Sequence, residues 1–356
     1  MFSFRRLSIG LVAVMFPIAS VGQDRLPPKK IPIAAGIVLF VTAPYGEVGL
    51  DGNSVAILSS EGVLVFDSNG TPAAAEAVLA EIRKMTDQPV LYLVNSHWHW
   101  DHWYGSEVYR KAFPGVQIIA HEKTRTMMMG PALEFNRPGI EKQLPAYIAS
   151  LEKQPRTPEL THRIDNARFF LDQKARVKLA FPNLTYKSEL DIHLGDREIQ
   201  VLHHDRAVTP GDSFLYLPKE KIVVTGDLLV NPISFALSCY PAGWLRTLER
   251  IDGLEASVLV PGHGEPLHDK RLLRATMETF RELLRRGKES KERGLDPDQA
   301  RAAILPAIKE LMVRITGDDP KLNRVFEIQL VDWYLHRVYE ELDGALTDEI
   351  GRIPPA

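Results

Sequence analysis

The amino-acid sequence predicts an α/β fold in which two β-sheets pack together with helices on their outer sides. Short β-rich runs broken by Gly, Asn and Ser, at residues 29–42 and 53–70, indicate antiparallel strands and hairpins. Residues 73–86 have apolar side chains at helical spacing, and residues 89–96 form an apolar run typical of a buried strand. Hairpins combined with strands that alternate with helices favour two sheets covered by helices.

The segments after residue 96 continue this alternation. A short helix at 107–113 and a strand at 115–120 precede charged, helix-leaning residues from about 123 to 186. We interpret these residues as a helical insertion that covers a site. The strands that resume after the insertion lie at residues 188–204, 212–230 and 256–265.

The C-terminal quarter of the chain has a different character. Residues 269–292 and 295–345 are strongly helical in pattern and carry apolar anchors. We therefore expect a main domain over residues 31–270 and a helical C-terminal region over 271–356. That region either packs on the main domain or forms the contact of a homodimer.

The N-terminus has the pattern of an export signal. Two arginines precede an apolar run at residues 7–19, and small residues at 20–22 provide a cleavage site before Gln23. The run is shorter than the ~20 apolar residues that a membrane span needs, so an uncleaved anchor is the less favoured alternative. The sequence thus predicts a signal peptide over residues 1–22 and a periplasmic or secreted protein without a stable membrane span after processing.

The charge and cysteine content argue against nucleic-acid binding and against an intramolecular disulfide. Removing residues 1–22 removes two arginines and no acids, which leaves 41 basic and 46 acidic residues. A mildly acidic chain has no general attraction to nucleic acid, so we expect no nucleic-acid partner. The single cysteine, Cys239, cannot form an intramolecular disulfide and is expected to be a small core residue.

The segment NSHWHWDH concentrates metal-binding side chains at the end of a predicted strand. His97, His99, Asp101 and His102 form the pattern H-x-H-x-D-H, and imidazoles with a carboxylate suit zinc. On an extended loop, His97 and His99 can point to one side while Asp101 and His102 address a second, neighbouring position. The alternative is a solvated or core-satisfied histidine cluster.

Three further residues follow predicted strands. Asp227 in VVTGDLL and His263 in VLVPGHGE are each flanked by glycine, which permits close approach. Asp67 closes the strand GVLVFDSN and could hold a ligating histidine by a hydrogen bond. Each of these positions alone is also compatible with an ordinary turn residue.

The chain resembles the metallo-β-lactamase-fold superfamily over roughly residues 31–270, through Asp67 and the segments NSHWHWDH, TGD and PGHG. The resemblance implies a four-layer αββα sandwich with a metal site at one edge of its sheets. It implies one or two zinc ions. The first would be bound by His97, His99 and a third histidine, and the second by Asp101, His102 and His263. Asp227 would bridge the two ions.

The sequence departs from the family pattern at the third histidine of the first ion. Relatives commonly read H-T-x-G-D before the following strand, whereas this chain reads RAVTPGD, with Val208 in the place of the histidine. Valine has no lone pair. His203 or His204 could substitute only if the chain folded back. Without such a substitute, the protein binds a single metal ion, holds the first ion loosely, or is catalytically weakened.

The resemblance implies an exported zinc-dependent hydrolase acting on a small-molecule substrate. A metal-bound hydroxide would attack an amide, lactam, lactone or other ester bond, and Asp101 would orient the nucleophile and carry its proton. Because of Val208, a non-catalytic or weakly active metal- or ligand-binding protein of the same fold is the alternative. A redox role using iron is a third possibility.

Several aromatic and methionine residues flank these ligands. We expect Trp98 and Trp100 to brace the ligand segment from behind, while Trp103 and Tyr104 could brace it or line a substrate rim. The triplet Met127–Met129 is more typical of helix packing than of an adaptable binding surface.

Overall fold

Two β-sheets lie at the centre of the structure, a computed structural model that describes residues 27–347 and leaves aside the side chains of residues 135–138. The signal peptide predicted at residues 1–22 lies outside the described residues. The first sheet consists of β1 (Lys29–Ala34), β2 (Ile37–Val41), β3 (Ser54–Leu58), β4 (Val63–Phe66), β5 (Val90–Val94), β6 (Gln117–His121) and β7 (Leu184–Tyr186). The second consists of β8 (Glu189–Leu194), β9 (Arg197–Leu202), β10 (Phe214–Leu217), β11 (Ile222–Gly226) and β12 (Val258–Pro261).

The helices fall into three groups along the chain. The first group lies between β4 and β6 and consists of α1 (Pro72–Arg83), α2 (Trp100–Trp103) and α3 (Ser106–Ala112). The second lies between β6 and β7 and consists of α4 (Glu122–Met128), α5 (Pro131–Pro138), α6 (Leu144–Glu152) and α7 (Pro158–Arg176), with a π-helical segment at Gly139–Gln143. The third lies in the C-terminal part of the chain and consists of α8 (Pro241–Asp252), between β11 and β12, and of the helices after β12, which are α9 (Arg271–Glu292), α10 (Pro297–Ile304), α11 (Lys309–Thr316), α12 (Pro320–Val325) and α13 (Trp333–Leu342).

Both sheets combine antiparallel hairpins with parallel strands. The first sheet follows chain order, with antiparallel pairing from β1 to β4 and parallel pairing from β4 to β7. The second runs β12-β11-β10-β9-β8 and is antiparallel except between β11 and β12. Parallel neighbours need a crossover, and α1 and α8 provide it between β4 and β5 and between β11 and β12.

Three hydrophobic clusters define four layers. One cluster fills the space between the sheets and joins residues such as Phe66 on β4 to Val224 on β11. A second lies on the outer face of the first sheet, where α1 and α3 pack. A third covers the outer face of the second sheet, where α8, α9 and α13 pack. The α/β class, the αββα layering and the helical C-terminal extension predicted from the sequence are confirmed.

Helix α1 illustrates why these residues form these elements. Thr71 caps its N-terminus by accepting a hydrogen bond from the backbone N–H of Ala74, and Pro72 occupies the first turn, where no backbone donor is needed. Its apolar side chains, including Val78 and Ile82, are buried against the first sheet. The helix therefore fixes the crossover that makes β4 and β5 parallel.

The C-terminal helices bury their own apolar face on the second sheet. Tyr334 and Val338 on α13 belong to the same core cluster as Phe214 on β10 and Leu273 on α9. Cys239 is buried in this cluster, as predicted. Within residues 27–347, none of the helices combines the length and apolar character required to cross a membrane.

Four strands end at the same edge of the sandwich. Strands β4 and β5 are parallel neighbours in the first sheet, and β11 and β12 are parallel neighbours in the second. Backbone hydrogen bonds join the two sheets at this edge, from the Asn53 N–H to the Gly262 carbonyl (2.7 Å) and from the Ser213 N–H to the Ser96 carbonyl (2.8 Å). Side chains that follow these strands therefore meet at one place.

Candidate metal centre

The segment after β5 places its histidines in two local conformations. His97 lies in a bend and His99 on extended chain, whereas Asp101 and His102 lie on the helical turn α2. The prediction that all four occupy a loop is wrong for the last two. The turn forms because the His102 N–H donates to the His99 carbonyl (3.1 Å) and the Tyr104 N–H donates to the Trp100 carbonyl (3.2 Å).

Glycines let neighbouring loops approach these side chains closely. A Cβ atom at Gly52 would overlap the His102 ring, and one at Gly262 would overlap the Asp227 carboxylate. The loop between β2 and β3 and the loop after β12 reach the centre only because these positions lack a side chain. The sequence predicted such close approach for the glycines beside Asp227 and His263.

Four side-chain atoms surround one cation-sized position, which we call the second position. His102 Nε2 lies 3.4 Å from Asp101 Oδ2, 3.3 Å from Asp227 Oδ1 and 3.3 Å from His263 Nε2. His263 Nε2 lies 3.1 Å from Asp101 Oδ2 and 3.5 Å from Asp227 Oδ1. Ligands about 2.0–2.1 Å from a tetrahedral zinc ion would be separated by about 3.4 Å, so these donors fit zinc.

Three side-chain atoms define a neighbouring position, which we call the first position. Asp227 Oδ2 lies 3.6 Å from His97 Nε2 and 4.0 Å from His99 Nδ1, so Asp227 faces both positions through its two oxygens. His97 Nε2 and Asp227 Oδ1 are buried and, within the described part of the chain, have no hydrogen-bond partner. Buried polar atoms normally have a partner, and a cation at the first position would provide one for His97 Nε2, as one at the second position would for Asp227 Oδ1.

Hydrogen bonds behind the ligands orient the rings. Asp67 Oδ2 accepts from His102 Nδ1 (2.7 Å), which leaves His102 Nε2 directed at the second position. The Ser96 hydroxyl lies 2.8 Å from His97 Nδ1 and donates to Asp67 Oδ2 (2.7 Å). The hydrogen bond predicted for Asp67 is present, and its partner is the candidate ligand His102. Such supporting contacts fix both ring orientation and tautomer in metal sites.

The electrostatics of the cluster favour a cation. Burial opposes ionisation of Asp101 and Asp227, but the charges of His102 and His263 outweigh it and hold the pKa of both carboxyls well below the usual value. Burial likewise lowers the pKa of His102 and His263, but the two carboxylates outweigh it and raise both. His102 and His263 would bind a divalent ion at the second position as neutral rings, so binding there would release any protons that the rings carry.

His97 differs from the other rings in this cluster. Burial and the charge of His102 hold the pKa of His97 well below its usual value, so the ring is neutral at pH 7. The Ser96 contact occupies Nδ1, and the remaining nitrogen faces Asp227. His97 is therefore prepared to act as a neutral ligand.

The structure corrects the idea that His203 or His204 replaces the missing third histidine. His203 Nδ1 donates to the backbone carbonyl of Asp212 (2.8 Å), and its ring stacks on His121 at 4.0 Å between centroids. Neither His203 nor His204 belongs to the ligand groups that the described residues form. The strand does not fold back toward the centre, and Val208 is fully buried in the core beside α8 and α9. The first position thus has three protein donors.

The tryptophans pack behind the ligand segment. Trp98 and Trp103 are buried with Met127 and Met128, and the Trp103 indole N–H donates to the Trp98 carbonyl (2.9 Å). Trp98 braces the segment as predicted, and Trp103, for which the sequence left two possibilities, does the same. Met127 and Met128 serve helix packing, whereas Met129 is exposed.

A lysine from the helical insertion contacts the remaining tryptophan. Lys174 on α7 is buried, with its Nζ 3.0 Å from the centroid of the Trp100 ring. Lys174 Nζ also donates to the Gly70 carbonyl (3.1 Å). Trp100 packs on Phe170 of the same helix, with ring centroids 5.6 Å apart. The insertion therefore supports the turn that carries Asp101, and Trp100 braces it as predicted.

Sequence reasoning missed three residues of this centre. Ser96 lies inside the segment NSHWHWDH, and its position beside His97 was a usable signal. Lys174 and Ser238 gave no signal in the sequence. Lys174 lies 104 positions from Gly70, which it contacts, and Ser238 lies 139 positions from His99, which it contacts. Their contacts depend on how distant elements pack.

Comparisons with known proteins agree with this geometry. A family model described as the metallo-beta-lactamase superfamily matches residues 48–263. A linear primary-alkylsulfatase from Pseudomonas sp. (strain ATCC 19151) is 24% identical over 324 residues, a match that covers 84% of this chain and 58% of that protein. The chain therefore spans little more than half the length of this curated relative.

Solved structures show the same fold. A stereoselective inverting sec-alkylsulfatase from Pseudomonas sp. superposes with a TM-score of 0.60 at 18% identity, over 91% of this chain and 51% of that one. A metallo-beta-lactamase from Pontibacter korlensis superposes with a TM-score of 0.53 at 18% identity, over 71% of this chain and 99% of that one. Because the family model covers more than half of the 356 residues and includes every side chain of the centre, the chain belongs to the metallo-β-lactamase superfamily.

Proposed function

We propose that this protein is an exported zinc-dependent hydrolase that cleaves an ester bond of a small molecule, a sulfate ester foremost. The observation that carries the proposal is the second position, where four donors from three separate segments stand 3.1–3.5 Å apart in the pairs measured. That spacing matches the separation of ligand atoms around a tetrahedral ion. Export rests on the signal pattern at residues 1–22.

The choice of a sulfate ester is supported by the curated relative. That protein is named a linear primary-alkylsulfatase and matches 84% of this chain. The lactamase likeness, at 18% identity, concerns the fold alone. Carboxylic esters, lactones, lactams and amides are the further substrates to be compared.

An apolar surface beside the centre suits a substrate with a hydrocarbon part. The Phe235 ring lies edge-on to His99 with centroids 6.0 Å apart, and Trp333 packs on Phe235 at 4.8 Å. Both aromatic side chains are only partly buried. The C-terminal helices thereby contribute Trp333 to the surroundings of the first position.

Each residue of the centre has a role in this proposal. His97, His99 and Asp227 would hold one zinc ion, and His102 and His263 would hold a second with Asp101 and Asp227. Bound zinc supplies a Lewis acid and lowers the pKa of water toward neutrality. Asp101, which is 13% exposed at its side chain, would orient the nucleophile and accept its proton.

Chelation and substitution test the proposal. Purified protein should hydrolyse members of a panel of alkyl sulfates, aryl esters and a chromogenic lactam, EDTA should abolish the activity, and added zinc should restore it. A His97→Ala, His263→Ala double variant should lose at least ~100-fold in kcat/KM, because both positions lose a ligand. His193→Ala, on the exposed face of β8, is the matched control. Equal activity of the double variant and the wild type would refute the assignment.

The second candidate is a non-catalytic metal-binding protein of the same fold. Val208 favours it, because it leaves the first position with two histidines and with Asp227, which also faces the second position. A catalytic zinc site normally has three protein ligands and an open site for water, so a shared third ligand weakens this one. Under this alternative the protein binds one zinc ion per chain and hydrolyses no member of the panel. Metal content measured beside turnover distinguishes the two.

A further inference from the structure

The serine hydroxyl of Ser238 connects the missing-histidine position to His99. Ser238 Oγ lies 2.9 Å from the backbone carbonyl of Val208 and 3.3 Å from His99 Nε2. Ser238 and Val208 are both buried, at 6% and 0% exposure. The hydroxyl therefore bridges a core backbone atom and a ligand of the first position, away from bulk water.

The hydrogen-bond chemistry of this bridge fixes the proton on His99. A hydroxyl has one proton, and the Val208 carbonyl can only accept, so Ser238 donates to Val208. The contact between Ser238 Oγ and His99 Nε2 then requires the ring nitrogen to donate. With its proton on Nε2, a neutral His99 has a free lone pair on Nδ1, the atom that faces Asp227 Oδ2 at 4.0 Å.

We propose that Ser238 is a positioning residue that holds His99 in the Nε2-protonated tautomer and so presents Nδ1 to a cation at the first position. This position has only three protein donors, so the orientation of each ring matters more than in a site with four. The inference rests on the proposed function only in requiring a cation there, and it does not require hydrolysis.

The C-terminal region holds the segment that carries Ser238. The Ala236 N–H donates to the Gln329 carbonyl (3.0 Å), and Arg337 Nε donates to the Cys239 carbonyl (2.8 Å). Arg337 is itself buried. These contacts lie on both sides of Ser238 in the sequence. The C-terminal region after residue 270 therefore fixes the position of the Ser238 hydroxyl relative to the His99 ring.

Three variants test the proposal. Ser238→Ala removes the hydroxyl, and Ser238→Thr retains it. Ser234→Ala is the matched control, because Ser234 is buried in the same segment and its hydroxyl has no hydrogen-bond partner within residues 27–347. Zinc binding is titrated in competition with a chromophoric chelator. The His99 tautomer is determined from the ring 15N shifts of the metal-free protein without residues 1–22.

We expect two zinc-binding steps in the wild type. In Ser238→Ala, the weaker of these two steps should lose tenfold or more in affinity, which is the effect typical of removing a hydrogen bond that supports a metal ligand. The affinity of the stronger step should be unchanged in Ser238→Ala, and both affinities should be unchanged in Ser234→Ala. Ser238→Thr should recover most of the affinity that Ser238→Ala loses. The wild-type 15N spectrum should show the His99 proton on Nε2.

A proton on Nδ1 in the wild type, or two unaltered binding steps in Ser238→Ala, would overturn the role of Ser238 alone. Absence of zinc binding by the wild type would overturn the proposed function and this inference together. The tautomer is measured on the wild type, so the outcome does not depend on whether a variant folds.

Discussion

Asp212 is a buried carboxylic acid whose side chain has an incomplete set of hydrogen-bond partners. Its Oδ2 accepts from the Thr209 N–H (2.8 Å), while its Oδ1 is buried with no hydrogen-bond partner among the residues the structure describes. Burial raises the pKa of Asp212 to about 8, against the opposing effect of the Thr209 hydrogen bonds. The residue therefore carries its proton at neutral pH.

This protonation makes stability depend on pH in a defined direction. An aspartate in the unfolded chain titrates near ~3.9, so the folded state holds the extra proton between about pH 4 and pH 8. The stabilisation is complete below the unfolded pKa and is lost as pH rises toward the folded value. Relative to Asp212→Asn, the wild type should lose about 1.4 kcal/mol of unfolding free energy per pH unit between pH 5 and pH 7. Urea unfolding of metal-stripped proteins measures this, and parallel pH profiles for the two proteins would contradict it.

At the scale of secondary-structure elements, helix α7 supports the metal turn through one buried cation. Lys174 lies against Trp100 and within 5.0 Å of the ring centroids of Tyr104 and Phe170. Burial lowers its pKa well below the usual lysine value. The Gly70 carbonyl that it reaches belongs to a residue packed so tightly on Asp101 that a Cβ there would overlap the backbone.

Replacing this lysine should weaken the attachment of the insertion. Lys174→Met keeps most of the side chain's volume but leaves the Gly70 carbonyl without this donor and removes the cation–π contact, so we expect a loss of about 1–3 kcal/mol in unfolding free energy. Lys178→Met, at an exposed position just beyond α7, serves as the control. Urea denaturation compares the three proteins. Equal midpoints for Lys174→Met and wild type would mean that the cost of burying the charge cancels its contacts.

The short helix α2 shows what pattern reading missed at this scale. This helix has only four residues, which is too short for a repeating pattern of apolar side chains to reveal it in the sequence. The long elements were predictable because their apolar spacing repeats. Helix α1 begins at Pro72 and α9 ends at Glu292, within one or two residues of the starts and ends that the sequence indicates.

For the whole molecule, the sequence pattern predicted two sheets covered by helices, and the family resemblance implied a metal site at one edge of these sheets. Side chains at Asp67, Asp227 and His263 follow strands whose ends share one edge. Parallel pairing aligns the strand ends within each sheet, and the packing of the two sheets brings the two sets of ends together. The supporting contacts were beyond prediction. Ser238 reaches His99 only because the C-terminal helices fix its segment, and such placement depends on packing rather than on local pattern.

Six side chains from distant segments form two adjacent cation positions, and all of the proposed chemistry depends on them. The most direct measurement is anomalous diffraction at the zinc edge from crystals of the protein grown with zinc. We expect two peaks that share Asp227, one between His97 and His99 and one among Asp101, His102 and His263, separated by about 3.5–4 Å as in other two-metal sites. No anomalous density among these six side chains, in crystals whose protein is folded as described, would contradict the account.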